Sequence, residues 1–266
     1  MTGNLSLERG LSVLQLLRVS DEPLGVRELA RRLDLSAPAV QRILNTLAQV
    51  AYVEQDPPSR RYRLGPSLLS LAQNMLREDR LVRASQGELE LLAEAACLNA
   101  FLGIRRGDQG IYLLAVQSKS PVVIRSSPGE TFSLHSTAMG KALLLNLTPE
   151  QIVEILGSGP FKQHTHRTAT DVGKLHGHIR AARAAGYTTS LDENFVGLIA
   201  VGAPVLDASA RIIGAISVAY PKAVGPQIEI AEVGEMIIAA AARISTSLGY
   251  REKTDPFGKD PSDVAE

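Results

Sequence analysis

The sequence contains very little cysteine and no long apolar run. Cys97 is the single cysteine among 266 residues, so the chain cannot form an internal disulfide or a cysteine-based zinc cluster. No stretch approaches the roughly 20 consecutive apolar residues of a membrane-spanning helix, and we expect no signal peptide. These absences predict a cytoplasmic protein. Cys97 follows an apolar helical pattern, which predicts that its thiol packs in the core.

Net charge is also missing, because 28 Lys and Arg residues balance 28 Asp and Glu residues. Residues 1–66 hold nine arginines and seven acidic residues, and the remainder holds 19 basic and 21 acidic residues. This small N-terminal surplus of positive charge is weak support for a nucleic-acid partner. A prediction of DNA binding therefore has to come from the residue pattern.

The motifs of several enzyme and metal-site classes are absent as well. The sequence has no Gly-x-Ser-x-Gly nucleophile elbow and no complete phosphate-binding loop. His164 and His166 share a predicted loop and could chelate a metal, but no His-Glu-x-x-His pattern or carboxylate cluster accompanies them. Asp192 and Glu193 have the pattern of a polar pair at a strand end. We predict no catalytic residues, no metal site and no cofactor.

Residues 24–47 carry two short helical patterns separated by a polar break. Apolar residues recur at helical spacing over residues 26–33 and again over residues 40–47. Between them, Asp34 lies in a turn and Ser36 can cap the second helix, and Pro38 is tolerated because first-turn N–H groups have no helical partner. This pattern predicts a helix-turn-helix whose second helix enters a DNA groove.

A basic hairpin is predicted immediately after the helix-turn-helix. Residues 52–55 and 60–64 have the pattern of strands joined by a turn. With a first helix over residues 5–19, this order predicts a winged helix-turn-helix domain over residues 1–66; the alternative is a small helical bundle with a surface hairpin. Side chains that can reach bases or phosphates are predicted at Ser36, Ala37, Pro38, Ala39, Gln41, Arg42, Asn45, Arg60, Arg61 and Arg63.

A linker helix over residues 67–81 is predicted to lead into a second domain over residues 82–250. The apolar stripe of this helix needs a partner, and we expect it to pack on the same helix or on the first helix of another subunit. Residues 251–266 are charged and contain Pro and Gly, which predicts a mobile tail.

The second domain is predicted to mix helices and strands, which indicates an α+β fold with a covered sheet. Helices are predicted over residues 81–96, 136–145, 149–156, 171–185 and 227–248. Strands are predicted over residues 99–105, 110–117, 121–125, 187–192, 198–205 and 212–219.

Three passages of this second domain resemble a known family. They are residues 134–144 (LHSTAMGKALL), residues 186–197 (GYTTSLDENFVG) and residues 203–218, which contain APVLD and GAISV. In this order, behind a winged helix, they resemble the IclR (isocitrate lyase regulator) family of bacterial transcription factors. The resemblance extends from about residue 5 to residue 250. It implies a GAF-like effector domain, a homodimer or a dimer of dimers, and regulation of a nearby catabolic operon.

The resemblance also implies where a small-molecule effector binds. Its site would lie between the segment that begins at Ser136 and the central strands, where free helix amides attract a carboxylate. Ala200 and Ala219 stand where members that bind very small oxo-acids carry polar side chains, so we expect a larger, more apolar carboxylate such as an aromatic acid. The implied effector-binding residues are Ile124, Phe132, Ser136, Ala138, Met139, Gly140, Ser190, Leu198, Ala200, Ser217 and Ala219.

Two functions follow from these patterns. The first is a ligand-responsive regulator, a repressor, that binds double-stranded DNA at a palindromic operator; repressor and activator look alike in sequence. The alternative is a small-molecule-binding or hydrolytic enzyme with a helical N-terminal extension. In the regulator, paired linker helices would hold two winged helices at a fixed separation. A ligand can alter that separation only if it prefers one arrangement over another.

Overall fold

The computed structural model describes residues 3–95, 97–119 and 124–251, and its contacts divide the chain into two compact units, Met1–Glu78 (unit 1) and Asp79–Glu266 (unit 2). The elements of unit 1 are α1 (Leu5–Arg18), α2 (Val26–Leu33), α3 (Ala37–Gln49), β1 (Val53–Gln55), β2 (Tyr62–Leu64) and α4 (Ser67–Glu78). Those of unit 2 are α5 (Arg80–Ala95), β3 (Asn99–Arg106), β4 (Gln109–Val116), β5 (Thr131–Ser133), α6 (Ala138–Leu143), α7 (Pro149–Leu156), α8 (Val172–Ala185), β6 (Thr188–Leu191), β7 (Leu198–Leu206), β8 (Ile212–Pro221) and α9 (Ile230–Ser247).

The first three helices of unit 1 begin and end at local signals in the sequence. Asn4 caps α1 and Ser36 caps α3, each by accepting hydrogen bonds from first-turn N–H groups. α2 ends at Asp34, whose left-handed backbone, with φ of 52°, turns the chain toward α3. The inward faces meet in a core of Val13, Leu17, Leu24, Leu29, Ala30, Val40, Leu44, Val53 and Tyr62.

The predicted hairpin forms next to this core. β1 and β2 pair antiparallel, with Val53 opposite Leu64 and Gln55 opposite Tyr62. Tyr62 also pairs with Leu24 in an isolated bridge, with backbone N–O distances of 2.9 and 2.8 Å. This bridge attaches the wing to the segment before α2, so the winged helix-turn-helix is confirmed.

α4 follows the wing and buries none of its residues. Its large apolar side chains Leu69, Leu71 and Met75 are 61%, 52% and 63% exposed. An amphipathic helix with its apolar side open to solvent needs a partner surface to be stable. The prediction that α4 packs on another helix remains a prediction.

The core of unit 2 is a six-stranded antiparallel sheet. Its strand order is β5-β4-β3-β8-β7-β6, so the predicted hairpin of β3 and β4 lies beside the hairpin of β7 and β8. Three helices pack on the sheet. α5 contacts mainly β3, α9 contacts mainly β7, and α6 contacts β7 and β8. A mixed α+β fold behind a winged helix is therefore confirmed.

α6 lies unusually close to the sheet, and two glycines permit it. A Cβ atom on Gly202 of β7 would lie 3.0 Å from the Ala138 carbonyl carbon. A Cβ on Gly103 of β3 would collide with the sulfur of Met139. Because only hydrogen occupies these positions, every residue of α6 is buried.

Several predicted elements of unit 2 differ from the structure. β5 was not predicted, because three residues are too few to show an alternating pattern. Residues 121–123 of the strand predicted over 121–125 lie outside the described residues, and Ile124 and Arg125 are not in a strand. Ala96 of the first predicted helix and residues 252–266 of the predicted tail also lie outside the described residues.

The prediction that Cys97 packs in the core is wrong. Its side chain is exposed and its backbone has a φ of 51°. α5 ends at Ala95, so Cys97 lies just past the helix, where the periodicity that predicted burial no longer applies. Among the described residues, no helix is long and apolar enough to cross a membrane.

Candidate DNA-binding surface and effector cavity

The outer face of α3 carries the side chains predicted to contact DNA. Ser36, Pro38, Arg42 and Asn45 are exposed, and Ala37, Ala39 and Gln41 are half-buried. The opposite face is fixed by the fully buried Val40 and Leu44. Small side chains at the start of the helix let its backbone approach a groove, and the longer polar ones can then reach base edges.

Gln41, Asn45 and Tyr62 form one hydrogen-bonded group. Nε2 of Gln41 donates to Oδ1 of Asn45 at 2.8 Å and to the hydroxyl of Tyr62 at 3.1 Å. Tyr62 is buried in β2, so the wing helps to orient a side chain of the recognition helix. Oε1 of Gln41 and Nδ2 of Asn45 have no partner among the described residues, and they present an acceptor and a donor one helical turn apart. The sequence pattern did not predict the contact between Tyr62 and Gln41, because the two residues are 21 positions apart.

The three predicted wing arginines differ in their contacts. Arg60 is exposed and its side chain has no partner among the described residues. Arg61 donates to the Pro23 carbonyl at 3.2 Å, and Arg63 pairs with Glu54 at 2.6 Å. Exposed ion pairs of this kind contribute about 0–1 kcal/mol, so a phosphate can replace Glu54 at little cost.

A surface groove of unit 1 adds basic residues that sequence reasoning missed. It runs between α2 and the wing, where Arg60 and Arg61 are joined by Arg27, Arg31 and Arg32. The hydrogen bonds of Arg31 and then Arg32 lower the pKa of Glu28 to about 2, so Glu28 stays ionised. Together with Asp21 and Glu22 of the same groove, it offsets part of this positive charge. The signal was present in the sequence as Arg31-Arg32, but helical periodicity alone does not show that it faces the wing.

Unit 2 contains a cavity of about 350 Å³ between α6 and the sheet. Of the predicted effector-binding residues, the structure brings together Ile124, Phe132, Ala138, Met139, Ser190, Leu198, Ala200, Ser217 and Ala219 around it. Sequence reasoning missed other lining residues, which are Phe101, Tyr112, Arg125, Ser126, Glu130, Thr131, Ser133, Thr137, His164, Asn194 and Phe195. Most of these polar groups come from loops and strand ends, whose meeting point no local pattern predicts.

Ser136 and Gly140 do not line the cavity. Ser136 was expected to begin the helix, but Thr137 is the N-cap, and its hydroxyl accepts from the Gly140 N–H at 3.0 Å. Ser136 instead donates its hydroxyl to Oδ1 of Asn194 at 2.8 Å. The expected row of free amides for a carboxylate is therefore partly occupied by protein, and these two residues support the cavity from behind.

Three aromatic rings form one wall of the cavity. The ring centroids of Phe101 and Tyr112 are 5.6 Å apart, and those of Tyr112 and Phe132 are 4.6 Å apart. Burial raises the pKa of the Tyr112 hydroxyl, so it remains protonated. This wall offers the tilted packing that another aromatic ring prefers.

One histidine, His164, lines the cavity, and a second, His135, lies behind it. His135 bonds through Nδ1 to the Ser133 hydroxyl and through Nε2 to the Lys162 carbonyl, both at 2.9 Å. A carbonyl only accepts, so Nε2 carries the hydrogen and Nδ1 accepts from Ser133. Burial lowers the pKa of both His135 and His164, which favours neutral rings. His164 lines the cavity, 5.9 Å from His135 between ring centroids.

His164 and His166 share a loop, but no further ligands join them in the part of the chain that the structure describes. Within the described ranges, no three or more His, Cys, Asp or Glu side chains are grouped to hold a metal ion. Asp192 accepts from the Gly197 N–H at 2.6 Å, and Glu193 pairs with Lys141. The two carboxylates thus have separate structural partners.

A winged helix on one unit and a small-molecule cavity in the other define a ligand-responsive DNA-binding transcription regulator. Comparison with known families agrees: residues 6–57 match the IclR helix-turn-helix domain, and residues 73–246 match the bacterial transcriptional regulator IclR C-terminal domain. The chain belongs to the IclR family of bacterial transcriptional regulators.

Relatives with established names cover nearly the whole chain. The HTH-type transcriptional regulator BhcR of Paracoccus denitrificans is 28% identical over 94% of this chain and 89% of its own. The HTH-type transcriptional repressor AllR of Escherichia coli is 26% identical over 94% of this chain and 92% of its own. An IclR homologue from Microbacterium hydrocarbonoxydans, solved in complex with 4-hydroxybenzoate, has the same fold, with a TM-score of 0.79. It is 22% identical and covers 91% of this chain and 98% of its own. These relatives are named as regulators and not as enzymes.

Proposed function

We propose that this chain is a repressor of a catabolic operon, that it binds a palindromic operator as a homodimer, and that an aromatic carboxylate controls its DNA binding. The observation that supports it best is the combination of an exposed polar face on α3 with a cavity walled by three aromatic rings. The name of the relative AllR supports the repressor role. A palindrome suits the proposal because a two-fold dimer presents two identical recognition helices.

The exposed apolar surface of unit 1 supports the homodimer. Three leucines of α1 are exposed in addition to the apolar side of α4. The exposed fractions of Leu5, Leu7 and Leu11 are 57%, 61% and 50%. Burying such a surface against a second copy gains about 25 cal/mol per Å² of apolar area.

The size and chemistry of the cavity support an aromatic acid as effector. A volume of about 350 Å³ is at the lower end of small-molecule sites. The aromatic wall of Phe101, Tyr112 and Phe132 and the small side chains of Ala200 and Ala219 accommodate a planar ring. Arg125 lines the same cavity and supplies a positive charge for a carboxylate, and Glu130 is the acidic residue of that lining. Thr137 occupies one of the first-turn amides of α6. The fold neighbour that holds 4-hydroxybenzoate supports the same ligand class.

Calorimetry with a panel of aromatic and aliphatic acids tests the effector class. We expect 4-hydroxybenzoate, benzoate and related rings to bind more tightly than glyoxylate or pyruvate. Ala200→Leu, which fills the cavity, should abolish that binding, while Ala208→Leu at an exposed turn serves as its control. Tightest binding by glyoxylate or pyruvate would contradict the proposal. A gel shift on the upstream region of the gene tests the operator, and the enzyme alternative predicts no specific complex there.

A further inference from the structure

A second cavity, of about 480 Å³, lies in unit 2 and shares no lining residue with the effector cavity. The same strand contributes to both walls: Ser190 of β6 lines the first cavity, whereas Thr188, Thr189 and Leu191 line the second. The second cavity is lined by Lys141, Arg167, His178, Ala181, Ala182, Ala185, Tyr187, Thr188, Thr189, Leu191 and Glu193.

A buried ion pair with unmet hydrogen-bonding capacity lies at this cavity. Nζ of Lys141 donates to Oε1 of Glu193 at 2.6 Å, and the two side chains are only 2% and 8% exposed. This is the single hydrogen bond of the Lys141 ammonium among the described residues. Oε2 of Glu193 accepts no hydrogen bond in that part of the chain, and Nδ1 of His178 lies 3.5 Å from it. Buried polar atoms normally have close partners, so a carboxylate oxygen in a cavity wall whose nearest donor is the His178 ring at 3.5 Å can accept a closer hydrogen bond from a ligand.

The charges around the cavity favour an anion that also carries a donor. Lys141 and Arg167 bring two positive charges to a lining whose single carboxylate is that of Glu193, and Arg167 is exposed at the rim. An excess of positive charge attracts a carboxylate. A carboxylate alone, however, would leave Oε2 of Glu193 with only the His178 ring at 3.5 Å, whereas a hydroxyl on the same ligand would supply a closer donor.

The free edge of the sheet adds further polar groups. The Asp192 N–H donates to the Leu198 carbonyl at 3.0 Å, and Ser190 lies opposite Ala200. In an antiparallel ladder this alternation points the N–H and C=O groups of Thr189 and Leu191 away from β7. β6 is the last strand of the sheet, so these groups are available at the cavity.

We propose that this second cavity binds a small hydroxycarboxylate. The ligand carboxylate pairs with Arg167 and Lys141, and its hydroxyl donates to Oε2 of Glu193. Its carbon skeleton packs on the apolar strip of Ala181, Ala182 and Ala185 of α8. The site is independent of the effector proposal, because the two cavities have different walls.

Methyl NMR of the full chain, with ¹³C-labelled alanine, distinguishes the two cavities directly. Ala181, Ala182 and Ala185 report on the second cavity, and Ala138, Ala200 and Ala219 report on the effector cavity. The probes are lactate, propionate, which lacks the hydroxyl, and propane-1,2-diol, which lacks the carboxylate. We expect lactate to shift the first set of methyls in a saturable way. The other two probes should bind at least about tenfold more weakly, because propionate loses the contact with Glu193 and propane-1,2-diol loses those with Arg167 and Lys141.

A rim variant tests the contacts without disturbing the buried pair. Arg167→Ala should weaken lactate binding about tenfold and leave the melting temperature unchanged. Arg180 is an exposed arginine of α8 outside the cavity lining. Arg180→Ala should change neither the lactate affinity nor the melting temperature. Glu193 itself is not replaced in this binding test, because a buried and unpaired Lys141 would destabilise the domain and confound the affinity measurement.

Three outcomes would overturn the proposal. Lactate shifts confined to Ala138, Ala200 and Ala219 would assign all binding to the effector cavity. Equal binding of lactate and propionate would remove the role of Glu193. No shift with any probe would mean that water alone occupies the cavity.

Discussion

The two units hold their polar side chains in opposite environments. In unit 1, Arg42, Asn45 and Arg60 are exposed and face solvent. In unit 2, Ser190 and Lys141 are buried, and each is held by a protein partner: Ser190 donates to the Ser136 carbonyl at 2.7 Å, and Lys141 donates to Glu193. Substitutions in unit 1 should therefore change DNA binding with little effect on folding, whereas those in unit 2 should change folding first.

The largest expected effect comes from the buried pair of unit 2. Glu193→Ala leaves the Lys141 ammonium buried and unpaired, which costs about 3–5 kcal/mol of unfolding free energy. Chemical denaturation measures it. Arg63→Ala breaks an exposed pair of unit 1 and should cost under about 1 kcal/mol. Equal losses in the two variants would remove the contrast between the units.

The next effect concerns Arg42, which is exposed on α3. Arg42→Ala should weaken specific operator binding by about 1–3 kcal/mol with an unchanged free energy of unfolding. Fluorescence anisotropy with operator and scrambled duplexes measures the difference. Arg60→Ala is the matched control: it should weaken binding to both duplexes and flatten the salt dependence. A uniform loss in Arg42→Ala would assign Arg42 to phosphate contact.

A smaller effect is expected at Tyr62, because it acts only through Gln41. Tyr62→Phe removes the hydrogen bond at 3.1 Å and should cost about 0.5–1.5 kcal/mol of discrimination at the base pair that faces Gln41. Operator variants changed one base pair at a time locate the loss. Tyr52→Phe removes a hydroxyl elsewhere in unit 1 and should leave discrimination intact. If Tyr62→Phe leaves it intact too, the wing does not orient Gln41.

The smallest expected effect is the pH dependence that His135 gives unit 2. Burial lowers the pKa of His135 in the folded chain, while the unfolded value is about 6.5. As the pH falls, the unfolded chain therefore binds the proton before the folded chain does. The contribution of neutral His135 to the free energy of unfolding is complete above about pH 6.5 and is lost as the pH falls toward the folded pKa. Denaturation at pH 7.5, 6.5 and 5.5 should show this loss in the wild type and less of it in His135→Gln. His166→Gln, at an exposed residue, is its control, and a loss unaffected by His135→Gln would place the titration elsewhere.

Sequence reasoning predicted unit 1 better than the cavities of unit 2, and the reason is physical. The helix-turn-helix depends on caps and apolar spacing within about twenty residues. The local sequence is therefore enough to predict that Ser36 caps α3 and that Val40 and Leu44 are buried. The cavities depend on side chains far apart in sequence, such as Lys141 and Glu193, 52 residues apart. Asn194 and His164 reach the effector cavity from loops, where no periodicity reports direction. Even Ser136 was misplaced by one residue, because two adjacent hydroxyl residues can both cap a helix and only packing selects Thr137.

The central claim is that a ligand in unit 2 controls DNA binding by unit 1. The most direct test is anisotropy of the full chain on its own upstream duplex, with and without an aromatic acid that calorimetry shows to bind. We predict at least an approximately fivefold change in DNA affinity, absent in Ala200→Leu. An unchanged affinity with the effector cavity demonstrably occupied would contradict the claim.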